Sequence, residues 1–209
     1  MLNLAKSREN AARRLSGPAV AILSKCRLKP DTLTWFGLGT SIIAAGAIAT
    51  NHLIIGGLLV LISGLFDILD GALARTTNQT SRFGALLDST FDRISEAVLF
   101  LGLLALYVMN FSPTAFLLAP ETEYVAAIVL IFLALVGSFL TSYARARAES
   151  LGIECRVGLF TRLERVIILA LGLMFNQILI ALLIVVVLAF VTVGQRLVHV
   201  RQQIKSQDN

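Results

Sequence analysis

The chain reads as an all-α integral membrane protein with six transmembrane helices, preceded by an amphipathic juxtamembrane helix, with both termini in the cytoplasm. Three observations predict this. Hydrophobic residues make up 56% of the 209 residues and charged residues only 15%, too apolar for an ordinary soluble domain. Apolar stretches of membrane-spanning length recur along the chain, separated by basic clusters. Finally, one topology places all 18 Lys and Arg residues on a single side.

Residues 1–29 are amphipathic rather than spanning. Leu4, Ala11, Ala12 and Leu15 alternate with basic residues, and Ser16-Gly17-Pro18 breaks and restarts the helical pattern. This region is expected to lie on the membrane surface, ahead of a single domain over residues 30–209. Lys6, Arg8, Arg13 and Arg14 precede any long apolar run, so no signal peptide is expected. Pro30-Asp31-Thr32 opens the first span, from about Leu33 to Ala49. The second runs from about Leu53 to Ala74, the third from near Ser81 to about Met109, and the fourth from about Tyr124 to Ala146.

The last apolar stretch, Val166 to Val193, exceeds the ~20 residues one span needs and is interrupted by Asn176-Gln177. Charge decides how to read it. A turn there keeps Arg196, Arg201 and Lys205 on the side of Lys6–Lys29, Arg75–Arg93 and Arg145–Arg165; a single helix would send them to the other. Lys and Arg favour the cytoplasmic side, so six spans are predicted. Cys26 and Cys155 then lie in cytoplasmic basic segments, where reduced thiols are the default.

Four aspartates interrupt this apolar pattern as Asp67-x2-Asp70-Gly71-x2-Ala74-Arg75-x8-Gly84-x3-Asp88-x3-Asp92. A charge deep in a bilayer costs roughly 2.5–3.5 kcal/mol on insertion scales, so cations, water or protein must compensate these carboxylates. Helical spacing puts Asp67, Asp70 and Gly71 on one face and Asp88 and Asp92 on one face of the next helix. Two such pairs aimed at one point suit hard divalent cations such as Mg²⁺ or Mn²⁺, two per site, which bind alongside substrate phosphates. Gly71 and Gly84 allow close approach to the backbone, Ala74 keeps that face open, and Arg75 can pair with a phosphate. Any one aspartate alone would read first as a coupling-ion site or a helix cap.

All eight fixed positions match the signature of the CDP-alcohol phosphotransferase family, which this sequence therefore resembles. The resemblance implies a six-span enzyme, usually a homodimer, with a polar site near the cytoplasmic face of the cell membrane. It implies transfer of a phosphatidyl-type group from a CDP-linked lipid to an alcohol, with release of CMP. By this match Asp67, Asp70, Asp88 and Asp92 would bind metal, and Asp92 would also be the catalytic base. Gly71, Ala74, Arg75 and Gly84 would line the cytidine diphosphate site, joined more weakly by Asp31, Thr34 and Ser81.

The acceptor must be read elsewhere. Arg145, Arg147, Arg162, Arg165 and Arg196 come from three helix ends on the predicted cytoplasmic side and suit an acceptor carrying its own phosphate. Topology and anionic headgroups give a simpler account of any one of them. The segments Ser142–Glu149, Arg162–Arg165 and Gln195–Leu197 are similar to those of the phosphatidylinositol-phosphate synthase branch, although Arg145 replaces a commoner lysine and Leu163 a common proline. That similarity implies CDP-diacylglycerol and inositol phosphate as substrates. Glycerol-3-phosphate, giving phosphatidylglycerophosphate, is the nearest alternative acceptor. An intramembrane prenyltransferase would lack the Gly/Ala/Arg element, and a cation-coupled transporter would be expected to show broken helices or inverted repeats. Membrane lipids, not nucleic acid, are the expected surroundings. Glu96 extends the Asp88–Asp92 face by one turn, as a support for the site or a plain polar contact; Trp35 and Tyr143 read as interfacial anchors.

Overall fold

The computed structural model describes residues 30–77, 81–109, 119–155 and 157–207. The surface segment expected over residues 1–29, with Cys26, lies outside these. Six helices are present among the described residues: α1 (Pro30–Ala49), α2 (Leu53–Thr76), α3 (Arg82–Met109), α4 (Pro120–Ser150), α5 (Arg162–Met174) and α6 (Ile178–Gln207).

Four of the helices are long and apolar enough to cross a membrane, namely Asp31–Ala49, Leu53–Thr76, Pro120–Ser150 and Ile178–Ser206. The other two depart from that standard for visible reasons. Helix α3 carries Arg82, Asp88, Asp92, Arg93 and Glu96 within its first 15 residues of 28, and α5 has only 13 residues. The chain does turn between α5 and α6 as the sequence indicated: α5 ends at Met174 and α6 starts at Ile178, with Asn176 at φ 55°. Asparagine tolerates that left-handed geometry better than most residues. Asn51 (φ 63°) closes the α1–α2 turn in the same way, with the His52 N–H donating back to the Ala47 carbonyl at 2.8 Å.

Helix α1 packs against both α2 and α3, α2 against α5, α5 against α6, α6 against α4, and α4 against α3. Two glycines let backbones meet closely in this ring. A Cβ on Gly102 of α3 would lie 2.7 Å from the Ala45 carbonyl oxygen of α1, and one on Gly57 of α2 would lie 2.8 Å from that of Ala170 in α5. The main core has Ile48, Val60, Leu103, Leu173 and Leu182 among its members and includes none of the motif aspartates. Large apolar residues such as Ile43, Ile54, Leu101, Phe132 and Leu183 face outward, as lipid-facing positions should.

Near the aspartates the packing becomes more specific. Trp35 of α1 meets Phe91 of α3 edge-on at 4.6 Å between ring centroids, and Phe36 stacks on Phe66 of α2 at 6.2 Å. Beneath them the Ser63 hydroxyl donates to the Gly37 carbonyl at 3.0 Å, so Ser41 must be the donor in the 2.6 Å contact between the two serine hydroxyls. These contacts make α1 a common ruler for the two motif helices.

Candidate active site: a carboxylate cluster beside an arginine network

Asp67 and Asp70, on the last turns of α2, meet Asp88 from the first turns of α3. One oxygen from each of the three lies within 4.8 Å of the others. Asp70 is buried and its Oδ2 accepts a 2.9 Å hydrogen bond from the Thr34 hydroxyl, which fixes its rotamer from α1. The Oδ1 of Asp88 is buried with no hydrogen-bond partner among the described residues. Three like charges and an orphaned oxygen are a costly arrangement without a cation. The all-oxygen donor set fits Mg²⁺ or Mn²⁺.

Asp92, one turn further along α3, stands beside this trio. Its Oδ1 and the Oδ1 of Asp67 each lie 2.5 Å from one terminal nitrogen of Arg162, and its Oδ2 is 3.4 Å from Arg93. Arg162 owes its position to the start of α5. Thr161 is the N-cap, and the Glu164 carboxylate accepts from the Thr161 N–H at 2.6 Å, so Arg162 is the first helical residue. The positive end of α5 is thereby directed at the carboxylates. Thr34, Gly37, Ser63, Phe91 and Ser95 complete a small cleft below Asp67, Asp70, Asp92 and Arg162.

The residues expected to touch the CDP-lipid fall at two mouths of this cluster. At one, Ser81 caps α3, its Oγ accepting from the Gly84 N–H at 2.8 Å; a Cβ on Gly84 would lie 2.9 Å from that Oγ and 3.5 Å from Asp31 Oδ1. At the other, Arg75 is exposed at the end of α2 and folds back over Gly71, whose missing Cβ would stand 3.5 Å from its guanidinium; Ala74 is half-buried alongside.

The five arginines named from sequence do not form one cluster. Arg162 joins the aspartates. Arg165 is buried: its Nε and one terminal nitrogen each lie 2.8 Å from Glu96 Oε1, and the other terminal nitrogen donates to the Thr141 hydroxyl at 3.2 Å. Arg196 approaches the same residue from α6, donating to the Thr141 carbonyl and, at 3.0 Å, to the Val157 carbonyl. Arg145 is exposed and paired with Glu149 at 2.8 Å. Arg147 is exposed on the outer side of α4, 3.4 Å from the Ser150 hydroxyl.

The loop before α5 is shaped to receive Arg196. Gly158 has φ 140°, and a Cβ there would collide with Thr192 at 2.7 Å and crowd the Arg196 guanidinium at 3.4 Å. Sequence reading counted Arg93 toward topology but gave it no part in the site. It reaches Asp92, Glu96 at 3.5 Å and the Ser142 hydroxyl, tying the motif helix to α4. Its i,i+3 spacing to Glu96 was the available signal. Glu96 itself is buried between Arg93 and Arg165, which makes it the hinge between the two charge clusters.

This geometry can be set against known proteins. A sequence model of the CDP-alcohol phosphatidyltransferase family matches residues 27–194. The phosphatidylinositol phosphate synthase of Mycobacteroides abscessus is 34% identical over 203 residues, covering 93% of this chain and 87% of that protein. The archaetidylinositol phosphate synthase of Methanothermobacter thermautotrophicus is 33% identical over 190 residues, covering 88% and 89%. A crystal structure of the Mycobacterium tuberculosis phosphatidylinositol phosphate synthase with CDP-DAG bound superposes with a TM-score of 0.74 at 31% identity, covering 90% of this chain and 94% of that one. The same mycobacterial enzyme in complex with manganese and citrate gives 0.72 at 31% identity, covering 88% of each chain. With a family match across most of its length and the family's eight signature residues gathered at one end of the bundle, the chain belongs to the CDP-alcohol phosphatidyltransferase family and is a phosphatidyltransferase.

Proposed function

We propose that the protein transfers the phosphatidyl group of CDP-diacylglycerol to a hydroxyl of inositol phosphate, giving phosphatidylinositol phosphate and CMP. The observation that carries this reading is the junction at Glu96. Glu96, one turn beyond Asp92, links a carboxylate cluster suited to a lipid diphosphate to two arginines, Arg165 and Arg196, that meet at Thr141. Similarity to proteins named phosphatidylinositol phosphate synthase and archaetidylinositol phosphate synthase supports the same acceptor.

In this reading Asp67, Asp70 and Asp88, joined by Asp92, would hold two Mg²⁺ or Mn²⁺ ions. Bound there, the metals would neutralise the diphosphate and the departing CMP. Gly71, Ala74, Arg75, Ser81, Gly84, Asp31 and Thr34 would seat the nucleotide end of the lipid. Arg145, Arg165 and Arg196 would hold the acceptor phosphate, orienting a ring hydroxyl for in-line attack. The acceptor oxygen bonds to the lipid-side phosphorus, the bond from that phosphorus to CMP breaks, and the hydroxyl proton passes to the Asp92 carboxylate. Arg162, held between Asp67 and Asp92, would offset charge as it builds in the transition state.

Purified protein supplied with labelled CDP-diacylglycerol, Mn²⁺ and one acceptor at a time tests the assignment. Inositol phosphate should give lipid product and CMP. Product with glycerol-3-phosphate and none with inositol phosphate would sink it. We further read the enzyme as a homodimer crossing the cell membrane six times, with both termini and the site cytoplasmic, as the grouping of its Lys and Arg residues suggests. A cysteine placed at His52 should then label from outside intact cells and one at Ser206 only after permeabilisation, while cross-linking in native membranes should give a dimer.

A further inference from the structure

The ends of α4 and α6 enclose a groove of about 500 Å³ whose lining includes none of the four motif aspartates. Its deep part is lined by aliphatic side chains, including Leu140, Val193, Leu197 and Val200, while Arg147, Arg201 and Lys205 stand around its outer end. No acidic residue lines it. The carboxylate nearest in sequence to Arg147, that of Glu149, is engaged by Arg145. Arg201 and Lys205 are exposed and have no ion-pair partner among the described residues. Arg196 forms the inner wall with its stem while its guanidinium is turned to Thr141 and Val157.

We propose that this groove is a binding site for one anionic glycerophospholipid, distinct from the CDP-lipid cleft. The phosphate would sit among Arg147, Arg201 and Lys205, and one acyl chain would run along Leu140, Val193 and Leu197. Charge selects this occupant over the alternatives. Residues 1–29 carry seven Lys and Arg against Glu9 alone, the wrong sign for a cationic rim. A second copy offering the same face would be repelled for the same reason. A free phosphate would leave the aliphatic half of the groove unused, whereas a zwitterionic lipid would bring its own cation to the rim.

A lipid seated here braces α4 against α6 beside the carbonyls that hold Arg196. Occupancy therefore stabilises the arginine network without touching the reacting groups.

The test uses the full chain, purified and stripped of lipid in mild detergent, and titrated with fluorescent phosphatidylglycerol. One saturable site per protomer is expected, with a rise in melting temperature on filling. The R201Q/K205Q variant should bind roughly 30-fold more weakly, the scale set by two interfacial cations. Leu197→Trp, which fills the apolar half and leaves the charges in place, should also lose binding while keeping the unliganded melting temperature. Phosphatidylcholine and soluble glycerol phosphate should both fail to compete. Wild-type affinity in R201Q/K205Q, equal competition by phosphatidylcholine, or displacement by glycerol phosphate would each overturn the proposal. So would cross-linking that finds residues 1–29 in the groove.

Discussion

Asp67, Asp70 and Asp88 face one another with like charge and leave Asp88 Oδ1 without a partner among the described residues, whereas two turns along α3 from Asp88 all three guanidinium nitrogens of Arg165 meet Glu96 or Thr141. Both clusters place charge inside an apolar bundle. They meet its cost differently: the aspartates gather a site that a cation completes, whereas Arg165 is already paired within the protein. From this contrast, the aspartates should matter chiefly to activity, and the interior arginines to stability as well as to the acceptor.

The sharpest way to break the comparison is Asp88→Asn. Transfer of labelled lipid should fall by about 10³-fold or more, the scale of losing an electrostatic group at a reaction centre. The melting temperature in detergent should hold or rise, because one of three mutually repelling charges is gone. A variant that loses stability together with activity would mean that the cluster is structural.

Next in size is Arg165→Ala. It leaves Glu96 buried without its principal partner, and breaking such a pair costs about 3–5 kcal/mol. Denaturation should show a large loss, and Glu96→Ala a similar one, whereas the double replacement by Met should recover much of it. Recovery of stability without recovery of turnover would confirm that Arg165 has two roles; a stable Arg165→Ala would put it with the aspartates instead.

Smaller effects sharpen the boundary between the clusters. Thr34→Val removes a hydrogen bond to a carboxylate, worth about 1.5–3 kcal/mol at most. It should shift the Mn²⁺ concentration needed for half-maximal activity more than it shifts stability; an unchanged Mn²⁺ requirement would free Asp70 from α1. Smallest in stability is Arg145→Gln, since its exposed pair with Glu149 contributes about 0–1 kcal/mol. The acceptor KM should nevertheless rise, and an unmoved KM would remove Arg145 from the acceptor pocket.

Much of this was legible in the sequence because the signals were local or additive. Helical spacing set the faces of Asp67, Asp70, Asp88 and Asp92, and the distribution of Lys and Arg located the Asn176 turn. Helix ends were read short: α4 extends from Pro120 to Ser150 rather than from Tyr124 to Ala146, and α6 to Gln207. Hydropathy marks the apolar part of a helix, whereas polar turns held by pairs such as Arg145–Glu149 continue beyond it. The arginines resisted for another reason. A cluster of cations on one side of a membrane has the same sequence pattern whether it binds substrate, meets lipid headgroups or neutralises a buried acid. Only the fold shows that Arg162 turns to Asp67 and Asp92, Arg165 to Glu96, and Arg147 outward.

The shortness of α5 has a consequence for how two unlike substrates meet. At 1.5 Å per residue its 13 residues reach only about 20 Å, against a hydrocarbon layer of about 30 Å. Ahead of it, Ile153, Cys155 and Phe160 are all buried. On the six-span topology proposed above, Arg162 at the start of so short a helix would stand below the membrane surface, level with Asp67 and Asp92. The proposed water-soluble acceptor would descend to that depth, and a lipid diphosphate would rise no higher than its own headgroup plane, so neither would leave its own solvent to reach the other.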